Sequence, residues 1–479
     1  MLNLYEKNRN IKKIKLKNSF LFINPDSGKW VIGDQDVNKV ISVLKQPQNI
    51  NDLIKNLKMK VDKKIISKLI DELCKNDIIF KKEESCRMEN LFEGREINPK
   101  LVILNLTYQC NLSCSYCYTS SNPYLKDHMD EELALKIISE VYYLPRNLYN
   151  NTSNRRLRIA FHGGEPLLKF SMIKKIIEKL RKMDFFNNLS FTVQTNGTLI
   201  NSEMVKFFKE NEIHVGISLD GPAELNNRTR FNGKKRGSFD KAYKALNLLR
   251  QYGVPFGVIT VLSKKNINDI DKIIEFFLKE NIKGITLNYF VPFGRGRHFK
   301  NELEISQAQL YRAYKEILEL FVNYPKDEKD EKSVPFKELT LKSLLLNLKG
   351  IYTNMCLISP CGAVFDQLSF DPQGNVFPCD DFSPFPEFIL GNINKLSLKE
   401  IILRSNIVKM LRERTVENIS CKKCVWKSIC GGGCPAKSYL KYGHIYHKHP
   451  YCSFMKKIIL ELFYMIEENK IDFFYEHEI

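Results

Sequence analysis

The sequence predicts an α/β fold: a partial (β/α)6 barrel, preceded by a small winged-helix-like α+β unit and followed by a cysteine-rich region. Three observations carry this expectation. Apolar strand-like runs begin near residues 102, 158, 190, 214, 256 and 285. Helical patterns separate them over 132–144, 171–183, 203–211, 238–252 and 267–281. Cysteines crowd into 110–117 and 356–452 and are nearly absent elsewhere. Strands alternating with helices mean parallel strands joined by right-handed crossovers, and the strand ends of such sheets carry the chemistry.

In chain order, residues 1–97 read as the separate α+β unit. LKNSFLFI and KWVIG flank the turn signal NPDSG and predict a hairpin. Two helical patterns follow. In the second, Ile65, Ile66, Leu69, Ile70 and Leu73 recur at helical spacing behind a cap at Asp62. The short run DIIF closes the unit, and EESCRMENLFEGREINP reads as a linker. Residues 98–304 hold the barrel. Residues 305–355 read as two helices around the charged loop PKDEKDEKSVP. Residues 356–479 are irregular, rich in Cys, Gly and Pro, and end in an amphipathic helix over 453–469.

Composition bounds the function. Of 479 residues 43% are hydrophobic and 27% charged, the balance of a folded protein with a core of its own. No run of about 18 apolar residues predicts a membrane span, and the charged N-terminus lacks the apolar stretch of a secretory signal. A cytoplasmic location is expected. The net charge of +19 is spread along the chain and is read as base composition rather than as a nucleic-acid patch. In a reducing compartment, clustered cysteines read as metal ligands before disulfides.

Cys110, Cys114 and Cys117 follow the strand LVILNLT with the spacing C-x3-C-x2-C, and Tyr116 lies within it. Three thiolates can hold three irons of a four-iron cluster and leave the fourth open. Structural zinc normally takes four protein ligands, so zinc fits poorly. This pattern resembles the radical S-adenosylmethionine (SAM) superfamily. HGGEP at 162–166, QTNG at 194–197 and SLDG at 218–221 all end strands and resemble the family's SAM-binding segments. By that resemblance Gly163, Gly164 and Glu165 meet the SAM amino group. Gln194, Asn196, Ser218 and Asp220 meet ribose and methionine, and Arg230 pairs with the carboxylate. The chain departs from the family at Asn226-Asn227, where His-Asp is usual. The resemblance implies reductive cleavage of SAM to a 5′-deoxyadenosyl radical that removes hydrogen from an unactivated carbon.

Cys421, Cys424, Cys430 and Cys434 form C-x2-C-x5-C-x3-C, with Cys452 beyond and Cys356, Cys361 and Cys379 upstream. Eight thiolates can serve two four-ligand sites, and paired zinc ribbons are the alternative. The pattern resembles the SPASM extension of radical SAM enzymes. That implies one auxiliary cluster on Cys356, Cys361, Cys379 and Cys434 and another on Cys421, Cys424, Cys430 and Cys452, making three 4Fe-4S clusters in all. Asp380 matches the proton acceptor of sulfatase-maturating members, a general-base role.

The resemblance further implies a peptide or protein substrate and a low-potential electron donor of flavodoxin or ferredoxin type. The N-terminal unit resembles the leader-recognition domain of ribosomal-peptide maturases, which adds a leader strand to a sheet edge. A maturase that forms a thioether in a Cys-containing, leader-bearing precursor is therefore expected, with neither nucleic acid nor membrane as partner. The alternatives are an anaerobic sulfatase maturase that generates formylglycine and a non-catalytic zinc-bound scaffold.

Overall fold

The computed structural model describes residues 4–57, 62–81, 95–149, 156–323, 337–352 and 355–470. The linker at 83–99 and the charged loop at 325–335 fall largely or wholly outside these. Strands β1 (Tyr5–Lys7), β2 (Lys12–Lys15), β3 (Phe20–Ile23), β4 (Trp30–Gly33) and β5 (Ile79–Lys81) belong to the N-terminal unit. β2, β3 and β4 form an antiparallel sheet containing the expected hairpin, and β1 pairs with β5. Three helices lie between β4 and β5, one more than expected: Gln35–Val43, Ile50–Leu57 and Lys63–Lys75. The last is capped by the Asp62 carboxylate, which accepts the Lys64 N–H at 2.8 Å.

Successive side chains of a strand point to opposite faces, and β3 is buried on both. Phe20 and Phe22 enter a small core with Ile41, Leu53 and Ile70. Leu21 and Ile23 enter the main core instead. The unit is thus packed onto the body. Trp30 Nε1 donates to Leu348 O at 2.8 Å, and the Trp30 ring meets Phe463 edge-on at 5.1 Å. The Glu467 carboxylate accepts the Lys17, Asn18 and Ser19 N–H groups.

All six expected barrel strands form: β6 (Leu101–Thr107), β7 (Leu157–Gly163), β8 (Leu189–Thr195), β9 (His214–Ser218), β10 (Phe256–Leu262) and β11 (Gly284–Tyr289). They pair in parallel and in sequence order. β6 is apolar along its length and buried on both faces, as a covered parallel strand requires.

The sheet extends past both ends of this set. β12 (Lys337–Glu338), in the segment expected to be helical only, pairs in parallel with β11. β13 (Gln367–Phe370), β14 (Asn375–Phe377) and β15 (Gly391–Asn392) come from the region expected to be irregular, and β13 pairs in parallel with β6. The ten strands run β12-β11-β10-β9-β8-β7-β6-β13-β14-β15. These additions were missed because each strand is two to four residues long, too short for periodicity to register. Helix Cys452–Glu467 closes the chain close to the expected bounds. Among the described residues no helix is long and apolar enough to cross a membrane.

Candidate active site

The loop after β6 carries Cys110, Cys114 and Cys117, and its backbone is held from several sides. Ser113 N–H donates to Phe231 O at 2.7 Å and Ser115 N–H to Thr229 O at 3.0 Å. Arg295 Nη1 donates to Cys114 O at 2.9 Å and its own N–H to Cys117 O at 3.0 Å. Arg295 escaped sequence reading because the short helix that bears it, Gly294–Phe299, has no periodic signature. Burial pushes the Cys110 thiol up to about 12 and that of Cys114 to about 11. Ionised sulfur here therefore requires a cationic partner.

Gly163 and Gly164 bring the end of β7 against this loop. A Cβ on Gly163 would stand 2.3 Å from Thr107 O, and one on Gly164 the same distance from Gln109 O. Only glycine allows that approach. Glu165 is wholly buried and accepts Asn196 N–H at 2.8 Å, Thr195 Oγ1 at 2.7 Å and Leu167 N–H at 3.1 Å. Burial raises its pKa despite these donors. Asp220 is equally buried and accepts Tyr116 OH at 2.7 Å, Thr229 Oγ1 at 3.1 Å and Val261 N–H at 3.0 Å. Asn226 Oδ1 accepts the Asp220 N–H at 3.2 Å, so the unusual Asn serves the local hydrogen bonding.

These elements surround one cavity of about 590 Å³. Tyr116, Gly163, Gly164, Gln194, Asn196, Ser218 and Arg230 line it together with the three cysteines. Glu165 and Asp220, expected to touch the ligand, stand behind the wall, and their carboxylates are taken up by the donors just named. Arg230 is buried, with Nη1 on Tyr116 OH and Nε without a partner. An orphaned buried guanidinium donor fits an anionic ligand group.

The opposite wall belongs to the cysteine-rich region. Cys356, Cys379, Cys421, Cys424, Cys430, Cys434 and Cys452 line the same cavity, and Cys361 is buried behind them. Their mutual influence sorts them into groups. After burial and Asp381, the charges that raise the Cys379 thiol are those of Cys361, Cys434 and Cys356. After burial, those that raise Cys430 are Cys424, Cys421 and Cys452. Among the described residues no three His, Cys, Asp or Glu side chains converge closely enough for a single metal ion. Looser groups of four thiols suit a cluster, whose ligands reach separate irons. Gly431, Gly432 and Gly433 all have positive φ, and a Cβ on Gly431 would strike the Ile358 backbone at 2.5 Å. This turn carries Cys434 away from Cys430 toward Asp381, whose carboxylate accepts its thiol at 3.3 Å.

Asp380 joins the two walls. It accepts Tyr118 OH at 2.5 Å and Asn105 Nδ2 at 3.1 Å from the barrel side, and Ser369 Oγ at 3.2 Å from β13. Tyr118 and Asn105 were not singled out in the sequence. The aromatic after Cys117 was the available signal for Tyr118, and Asn105 sits inside an otherwise apolar strand.

Comparison with known proteins agrees with this architecture. Residues 104–277 match the radical SAM superfamily, and residues 361–425 match the SPASM iron–sulfur cluster-binding domain. A cysteine-type anaerobic sulfatase-maturating enzyme of Clostridium novyi is 28% identical over 383 residues, 76% of this chain and 96% of that protein. The structure of anSMEcpe with bound AdoMet superposes with a TM-score of 0.66 at 25% identity, covering 79% of this chain and 96% of that one. Streptococcus suis SuiB bound to S-adenosylmethionine superposes with a TM-score of 0.53 at 16% identity, covering 93% of this chain and 99% of that one, which shows a shared fold. Catalysis, not a non-catalytic zinc scaffold, is what these matches support, and SAM and iron–sulfur clusters come with the two matched regions. Three thiols and an orphaned guanidinium stand on one wall of the cavity and two groups of thiols at the other, and the chain is an enzyme that carries a radical SAM domain and a SPASM domain.

Proposed function

We propose that this enzyme is a maturase that forms a thioether crosslink in a Cys-containing peptide made on the ribosome, and that its N-terminal unit captures the leader of that precursor. The observation that carries the reading is the edge of β2. That strand pairs with β3 on one side and has no partner on the other among the described residues. Lys12, Lys13 and Lys15 are exposed along it, and the Lys13 and Lys15 ammonium groups lie over the Phe20 ring at 4.3 and 4.5 Å. Lys7 nearby has its pKa lowered by burial and then by Lys45 and Lys13. An open strand edge beside concentrated positive charge suits an acidic segment that adds as a strand. The SuiB likeness supports this, because it spans 94% of this chain and so reaches into the N-terminal unit; that structure is described as bound to the precursor peptide SuiA.

Cys110, Cys114 and Cys117 would hold the cluster that binds SAM. Gly163, Gly164, Gln194, Asn196, Ser218, Tyr116 and Arg230 would contact SAM, with Glu165 and Asp220 fixing those contacts from behind. Cys356, Cys361, Cys379 and Cys434 would hold one auxiliary cluster, and Cys421, Cys424, Cys430 and Cys452 the other. When bound, cluster and SAM supply the radical that removes hydrogen from carbon. The protein positions the peptide between the two walls and keeps water out. A flavodoxin- or ferredoxin-type donor would deliver the electrons.

Asp380 favours a second reading, formylglycine formation in a sulfatase. It faces the cavity from a network of three donors, where a carboxylate could take a substrate proton. One experiment separates the two. Reversing Lys12, Lys13 and Lys15 to Glu leaves Leu21, Ile23 and Trp30 in the main core, whereas deleting the unit would strip them from it. The triple variant should lose modification of a leader-bearing precursor at least tenfold and keep the substrate-free release of 5′-deoxyadenosine. Unchanged modification, or faster turnover of a leaderless sulfatase peptide than of the precursor, would favour the second reading.

A further inference from the structure

Arg414, at the end of helix Asn406–Glu413, is 1% exposed and among the largest fully buried side chains in the described residues. Its Nε donates to Ile445 O at 2.6 Å, and Nη2 donates to His447 O at 3.1 Å and Gly432 O at 3.3 Å. All three acceptors are neutral carbonyls, and none of the described residues supplies it with a carboxylate. A buried cation without a counter-ion is among the costliest groups a fold can carry, so the opposing charge must come from elsewhere.

The surroundings say where. Gly432 lies in the turn between Cys430 and Cys434, and a Cβ on it would stand 3.9 Å from Cys421 Sγ. Ser438 Oγ bridges Cys434 O and His447 O, the second of these being an acceptor of Arg414. Burial lowers the Arg414 pKa, and ionised sulfur at Cys361, Cys434, Cys421 and Cys430, two from each auxiliary set, would work against this. Other cations face one set: Lys437 acts on Cys356 and Cys434, and Lys448 on Cys421. A four-iron cluster on four thiolates is an anion, and reduction adds further negative charge. A fixed cation in a low-dielectric interior favours the reduced form and so raises the potential.

We propose that Arg414 is a shared counter-ion of the two auxiliary clusters, a positioning residue that sets both reduction potentials and ties the crossing turn of Cys434 to the loop of Cys421. This rests on the auxiliary ligand sets proposed above.

The test is a redox titration, followed by electron paramagnetic resonance, of the anaerobically reconstituted full-length enzyme and of Arg414→Gln and Arg414→Lys. In Arg414→Gln both auxiliary midpoint potentials should move to more negative values, the Cys110–Cys117 cluster should not move, and Arg414→Lys should stay near the parent. If Arg414→Gln loses auxiliary iron while Arg414→Lys retains it, the proposal is equally supported. Unchanged auxiliary potentials, a shift of one cluster alone, an equal shift in both variants, or equal loss of auxiliary iron from both would overturn it. If the parent enzyme itself carries no auxiliary iron, the ligand assignment fails instead, a result distinct from all of these.

Discussion

The two walls of the cavity hold their sulfurs in different ways. Cys110, Cys114 and Cys117 stand within eight residues, on one loop that leaves a fully buried parallel strand. Neighbouring strand ends press glycine backbone and strand-end side chains against that loop. The facing thiols come from segments spread between 356 and 452, joined by strands of two to four residues, short helices and three consecutive glycines with positive φ. On the first wall the regular sheet does the positioning, so the placement follows from the chain alone. On the second, a buried cation and many neutral thiols pack together at an energetic cost that metal would relieve. Folding and metal loading should therefore be coupled far more tightly on the irregular side.

The largest test of this contrast removes a ligand from the regular wall. Cys114→Ala should reduce 5′-deoxyadenosine release to background while the auxiliary iron stays bound, as read by product chromatography and iron analysis. Persistent release would break the assignment of that loop. Next in size, Cys424→Ala should lose auxiliary iron and peptide product yet keep part of the SAM cleavage, because the first wall does not depend on it for shape. Full turnover would show that the irregular wall needs no second cluster.

The smallest effect sharpens the comparison at the far margin of the regular wall. Glu338 on β12 is buried and held up to about 7 from 4.5, chiefly by burial. A raised carboxyl favours the folded state in its neutral form. Its contribution is complete below about pH 4.5 and is lost as pH climbs through about 7. Thermal stability should fall with rising pH across that window, and Glu338→Gln should flatten the slope. An unaltered slope would mean that Glu338 ionises freely in the fold.

How much of this was legible in the sequence differed along the chain. The six barrel strands are apolar runs of five to seven residues flanked by turn signals, and each formed within a residue or two of where it was expected. The cysteine spacings and GGEP lie on single loops, so local order was enough to mark them. β12 through β15 were hidden, because strands so short acquire meaning only from the neighbour they pair with. Glu165 and Asp220 were recognised by type, but their retreat behind the wall follows from backbone donors on other strands.

What the sequence by itself determined, then, is the alternation of strand and helix, the spacing of the cysteines and the cap at Asp62. Each depends on residues near one another in the chain. Tertiary structure alone decided that β3 would be buried on both faces, that Asp380 would bridge the two walls, and that Arg414 would lie among thiols from both auxiliary sets. Those contacts join residues hundreds of positions apart or on separate loops. Their free energy comes from desolvation and charge at sites that exist only once the chain has closed on itself.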